Sequence, residues 1–144
     1  MQAVSVIPAP TYSLAYHESL DAVLLRWLGP YTPAEARKSY QAALALARRH
    51  CCARWLLDAR STGPLNLEVA AWLTHEFLPM AAARLAPHPL RLAVICSLAR
   101  FQQLHTDPTV AAAVGAALAE ERPYQAGLFY DEGAAVAWLM SRPG

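Results

Sequence analysis

The chain of 144 residues and 15.7 kDa carries 12 basic and 11 acidic side chains, a formal net charge of +1, and 16% charged against 56% hydrophobic residues. That length lets one domain bury a core without disulfides or metal, and a near-neutral balance supplies no field to recruit nucleic acid or an anionic membrane. No apolar run reaches the roughly 20 residues of a membrane span, and the opening "MQAVSVIPAPTY" lacks the positive charge and unbroken apolar stretch of a signal peptide.

Cys51, Cys52 and Cys96 are odd in number and two of them are adjacent, which does not make a disulfide framework and fits a reducing compartment. A soluble cytoplasmic protein of one domain over residues 1–144 is expected, with residues 1–10 as an irregular N-terminal segment.

Along the chain, "TYSLAYHES" alternates Tyr12, Leu14 and Tyr16 against Ser13, Ala15 and His17, the period of a strand with one polar face. "AVLLRWLG" comes after a polar turn, so the two predict an antiparallel hairpin. The period then changes. Thr32, Pro33 and Glu35 stand as N-cap, first-turn proline and capping-box partner, and Ala36, Tyr40, Ala43, Leu44 and Ala47 recur at helical intervals.

"ARWLLD" is short and apolar, as expected of a central strand covered on both faces. Asn66 is placed to cap a helix whose buried stripe is Val69, Trp72, Leu73, Phe77 and Met80, with Pro79 expected to kink it. "LRLAVICS" reads as the next strand. The segment from Leu98 to Glu121 reads as two helical pieces, the second capped by Asp107 and opened by Pro108. "AGLFYD" is the last strand and "EGAAVAWLM" a closing helix. The fold expected is α/β: a leading β-hairpin, then alternating β-α units in a mostly parallel mixed sheet flanked by helices, with the first hairpin strand at its edge.

Ligands meet parallel sheets at the carboxyl ends of strands, which nominates three clusters: Asp58, Arg60, Ser61 and Thr62; Cys96, Ser97 and Arg100; Tyr130, Asp131 and Glu132. The plain reading of each is turn and cap hydrogen bonding, with Asp131 capping the final helix. A pocket beside the kinked helix, lined by Trp72, Phe77 and Met80, is a further candidate.

Catalytic and metal chemistry find little support. No GxGxxG, P-loop or GxSxG motif is present, the histidines lack metal-site spacing, and Cys96 has no histidine near it in sequence to activate it. Cys51 and Cys52 are expected as small buried side chains. No catalytic residue, metal or cofactor is assigned.

The order of elements, the "LLDARSTG" loop after the third strand and the ending "FYDEGAAVAWL", with Phe129, Asp131, Ala135, Trp138 and Leu139, resemble the STAS-like (anti-sigma-factor-antagonist-like) domain proteins. The resemblance implies a non-enzymatic regulatory or protein-interaction module, with a protein partner of unknown identity. It also implies a phosphorylatable Ser or Thr at the start of the helix after the third strand, the position of Ser61 and Thr62. Two departures stand out: Arg60 where an acidic neighbour is expected, and "GPLN" lengthening the loop. The alternative function is a carrier of a small apolar ligand or a nucleotide. The low charge also leads to an expected homodimer, since apolar surface left on so small a domain invites covering.

Overall fold

The computed structural model describes residues 3–7 and 11–141. It is an α/β domain built on one six-stranded sheet in the order β1-β2-β3-β4-β5-β6. The strands are β1 (Ala3–Ile7), β2 (Tyr12–His17), β3 (Ala22–Trp27), β4 (Arg54–Ala59), β5 (Arg91–Cys96) and β6 (Gln125–Phe129). β1, β2 and β3 pair antiparallel, whereas β3 through β6 pair parallel.

The edge differs from expectation. In place of an irregular segment over residues 1–10 with Tyr12–His17 at the edge, Ala3–Ile7 adds a strand outside the hairpin. Val4, Val6 and Ile7 are β-branched and favour strand. The rest of the expected irregular segment lies outside the described residues.

The helices are α1 (Pro33–His50), α2 (Leu67–Trp72), α3 (Leu78–Leu85), α4 (Leu98–Thr106), α5 (Pro108–Ala117) and α6 (Glu132–Met140). Their starts obey the local chemistry. Thr32 and Glu35 form a reciprocal capping box, Asn66 accepts from the Val69 N–H, Asp107 caps α5 ahead of Pro108, and Asp131 accepts from the Ala134 N–H. Each occupies an amide that the first turn leaves without a helical partner.

Between α2 and α3, Leu73–Phe77 forms one wide turn in which the Leu78 N–H reaches back five residues to the Leu73 carbonyl. A π-turn of this kind is an alternative to a kink ahead of a proline that lacks its own donor. The inserted residue rotates α3 relative to α2, so the buried positions are Val69, Thr74, Phe77, Leu78, Ala81 and Leu85. Met80, expected in the stripe, is turned outward and 36% exposed.

Strand order decides where the helices go. Parallel crossovers are right-handed, and β3 to β6 advance in one direction, so the connecting helices share one face. The main core lies there: Leu14, Leu25, Trp55, Leu57 and Leu92 of the strands pack against Tyr40, Leu46, Phe77 and Ala81 of the helices. The opposite face carries a smaller cluster in which Leu56, Ala93 and Ile95 meet Ala135 and Leu139 of α6. A sheet that never reverses its order has no topological switch point, the usual crevice of doubly wound folds.

Candidate functional site: the carboxyl edge and a cavity under the helices

Because successive strand residues point to opposite faces, the carboxyl end of β4 divides its polar side chains between the two. Asp58 alternates to the side of Leu56 and α6, where it is 3% exposed. It accepts hydrogen bonds from Arg26 Nε at 2.9 Å, from Arg60 Nε at 3.0 Å and Nη2 at 2.7 Å, and from the Arg60 amide at 3.1 Å. Glu132, at the start of α6, takes the outer edge of both guanidinium groups at 3.2 and 3.5 Å.

Burial pushes the Asp58 pKa up, but the hydrogen bonds and charge of Arg60, with Arg26, outweigh it and hold the carboxyl below its ordinary value. Two acids and two bases balance, and each has a partner. Such a network ties β3, β4 and α6 together rather than offering a reactive group.

The Ser61–Thr62 pair splits. Ser61 is exposed, whereas Thr62 is buried, donates to the Ala59 carbonyl at 2.9 Å and accepts from Arg100 Nη2 at 2.6 Å. Arg60, the residue next to a would-be phosphate, folds back onto Asp58.

Arg100 lies three residues into α4's turn from its cap, Ser97, and its side chain reaches the 61–64 loop. Only 7% of it is exposed. Nη2 also donates to the Gly63 carbonyl at 2.9 Å, and the Tyr31 hydroxyl faces the same guanidinium. Among the described residues no carboxylate makes an ion pair with it. Its Nε is the one buried side-chain nitrogen or oxygen among them without a hydrogen-bond partner. A guanidinium cannot shed its proton to relieve this, and an uncompensated buried ion costs several kcal/mol.

Arg91 shows the contrast. It is equally buried and, among the described residues, also makes no ion pair, yet it donates to Gln125 and to the carbonyls of Leu139 and Ser141 at the end of α6, and it stacks 4.2 Å over Trp138. Helix C-terminal carbonyls are a built-in counter-charge. Arg100 has neutral acceptors only, Thr62 and Gly63 on Nη2 and the Tyr31 hydroxyl beside it, and its Nε has none.

Arg100 borders a cavity of about 120 Å³ between the helix-rich face and the cover formed by α2, the wide turn and α5. Leu57, Leu92, Val94 and Leu128 form its floor, and Val69, Leu73, Ala113 and Val114 its roof. The lining side chains are carbon apart from Arg100, Thr74, the Trp27 indole N–H and the hydroxyls of Tyr31, Tyr40 and Tyr124. Burial raises the pKa of all three tyrosines, so they remain neutral hydroxyls near pH 7.

The pocket expected from Trp72, Phe77 and Met80 is placed differently. Phe77 is buried with Trp72 stacked on it at 4.9 Å, Met80 faces outward, and the cavity opens on the neighbouring side of the same helix, at Val69, Ala70, Leu73 and Thr74. The one-residue rotation at the wide turn accounts for the outward turn of Met80, which follows it.

The other candidate residues also find their places. Cys96 is buried and burial pushes its thiol up to about 11 despite Arg100 nearby, which keeps it protonated and poorly nucleophilic. Cys52 is buried with a thiol near 11 as well, but Cys51, expected inside, is exposed at the left-handed C-cap of α1. His75 is exposed. Among the described residues no group of three His, Cys, Asp or Glu is placed to hold a metal ion, and no helix is long and apolar enough to cross a membrane.

The class defined by these features is an α/β protein with all its crossover helices on one face, and with a small apolar cavity against one buried, unneutralised arginine. No family model matches the chain, and no curated protein or solved structure matches it either.

Proposed function

We propose that the chain is a STAS-like, non-enzymatic module that binds one small apolar molecule in the cavity beneath α2 and α5. The observation that carries this reading is the cavity itself: about 120 Å³ of space walled mainly by aliphatic side chains. Protein interiors are packed like organic crystals, and an apolar cavity of about 150 Å³ stays dry and takes up benzene. A nucleotide does not suit it, since one guanidinium and a carbon wall leave its phosphates and base edges unmatched. Absence of catalysis is supported by a protonated Cys96 and by an Asp58 already held by two arginines.

Native mass spectrometry of the protein isolated from its own cells tests the reading. A non-covalent adduct of roughly benzene size or slightly larger, lost on denaturation, is the expected result. A partner-docking role is favoured by a separate observation. Leu98 and Tyr130 at the carboxyl edge are 65% and 64% exposed, and Phe101 meets Tyr130 edge-on at 4.9 Å. Exposed apolar groups of this kind, at the same edge as Ser61, suit a protein partner or a second copy. Light scattering of wild type and of Leu98→Asp separates the two: a dimer lost in the variant means self-association.

A further inference from the structure

We infer that the molecule taken up by the cavity is a small carboxylic acid in its ionised form, its carboxylate held by Arg100 and its apolar body packed against Leu57, Val94 and Leu128. The inference rests on the cavity being a ligand site and adds the chemistry of the ligand. Three observations carry it. Arg100 is more than nine-tenths buried and, among the described residues, makes no ion pair. Its Nε proton has no acceptor. Nη2, which shares an edge with Nε, is pinned by donating to Thr62 Oγ1 and the Gly63 carbonyl, so the group is oriented before anything binds.

Charge and shape narrow the ligand further. Arg100 is the one ionisable cation lining the cavity, which matches a single negative charge rather than the roughly two of a phosphate monoester. The Nε–H, left without an acceptor, offers a charge-assisted hydrogen bond to one oxygen of a carboxylate. The hydroxyls of Tyr31 and Tyr40, neutral by burial, add uncharged donors that do not repel it. Arg100 also borders the outer groove between the Gly63–Pro64 segment and α4. The guanidinium therefore stands at the partition between the cavity and the surface, where a head group would lodge after its apolar body had passed inside. The volume sets the body at about one six-membered ring.

The test titrates the full chain with toluene, benzamide, benzoate and phenyl phosphate, following methyl and arginine side-chain resonances by NMR. Benzoate is expected to bind about ten-fold or more tighter than benzamide and to move the Arg100 Nε–H resonance, which benzamide and toluene leave in place. In Arg100→Met the preference for benzoate is lost while toluene still binds, which certifies an intact cavity. If that variant does not fold, the wild-type Nε–H response and the benzoate to benzamide ratio decide alone. Toluene binding with no preference for benzoate overturns the carboxylate inference and leaves the cavity reading standing. A preference for phenyl phosphate over benzoate also overturns it. Failure of all four to bind removes the cavity reading along with it.

Discussion

Thr62 and Arg100 join two segments that the chain order keeps apart: the Thr62 hydroxyl takes a 2.6 Å hydrogen bond from Arg100 Nη2 and donates its own proton to the Ala59 carbonyl at 2.9 Å. Replacing Thr62 by Val keeps the shape and removes the oxygen, leaving a buried cation with one acceptor fewer. A destabilisation of about 1–3 kcal/mol is expected. Ser61→Ala, one residue away but exposed, is expected to change stability by less than about 0.5 kcal/mol. Urea unfolding of the two variants checks the contrast, and equal losses would mean that the Thr62 hydroxyl is not a structural tie.

Asp58 gives a pH dependence with a definite sign. Its folded pKa is depressed relative to the unfolded chain, so the ionised form stabilises the fold fully above the unfolded value of about 3.9, and that contribution is lost as pH falls through the folded value. Asp58→Asn is expected to cost about 1–3 kcal/mol near pH 7 and to flatten the stability profile below pH ~4. Denaturant midpoints from neutral pH down to about pH 3 provide the check. A variant whose profile parallels the wild type would show that Arg26 and Arg60 do not couple to this carboxylate.

The capping chemistry is open to inspection in the sequence because each cap is local: Thr32 with Glu35, Asn66, Asp107 with Pro108, and Asp131 lie within four residues of the amides they serve. The strand-end rule likewise nominates Asp58, Thr62, Arg100 and Glu132. What no local pattern contains is the pairing. Arg26 reaches Asp58 across 32 residues and Arg60 reaches Glu132 across 72, while Arg100 stands out among the described residues through its buried Nε without an acceptor, a property of the whole packed surroundings. Met80 lies away from its expected place in the stripe for a related reason. A helical stripe assumes a constant 3.6-residue period, and the wide turn at Leu73–Phe77 breaks it by one residue.

Arg91 is the anchor of α6. Its guanidinium holds the carbonyls of Leu139 and Ser141 at 3.0 and 2.6 Å and lies over Trp138. Arg91→Met retains the stem but strips the last turn of these donors, for an expected loss of about 2–3 kcal/mol. Hydrogen exchange should rise in α6 and in the Leu56–Ile95 face beneath it well before it rises in α1. Uniform acceleration over the chain would contradict a local anchoring role.

The three thiols should differ sharply toward a disulfide reagent near pH 8. Cys51 is exposed, whereas Cys52 and Cys96 are buried with thiols pushed to about 11, and attack requires an accessible thiolate. One thiol per chain is expected to react promptly and the other two only on unfolding. Prompt reaction at Cys96 would reopen the case for a nucleophile at the end of β5.

The central claim is that the space beneath α2 and α5 receives a small apolar molecule, and a toluene titration of the methyl resonances tests it most directly. Saturable shifts are expected at Leu57, Val94 and Leu128, which line the cavity, with Leu139 on the opposite face unmoved. Val94→Phe, which fills the space with a ring of its own, should abolish them while the protein remains folded. Shifts that grow without saturation, spread evenly over both faces of the sheet, or persist in Val94→Phe would contradict the claim.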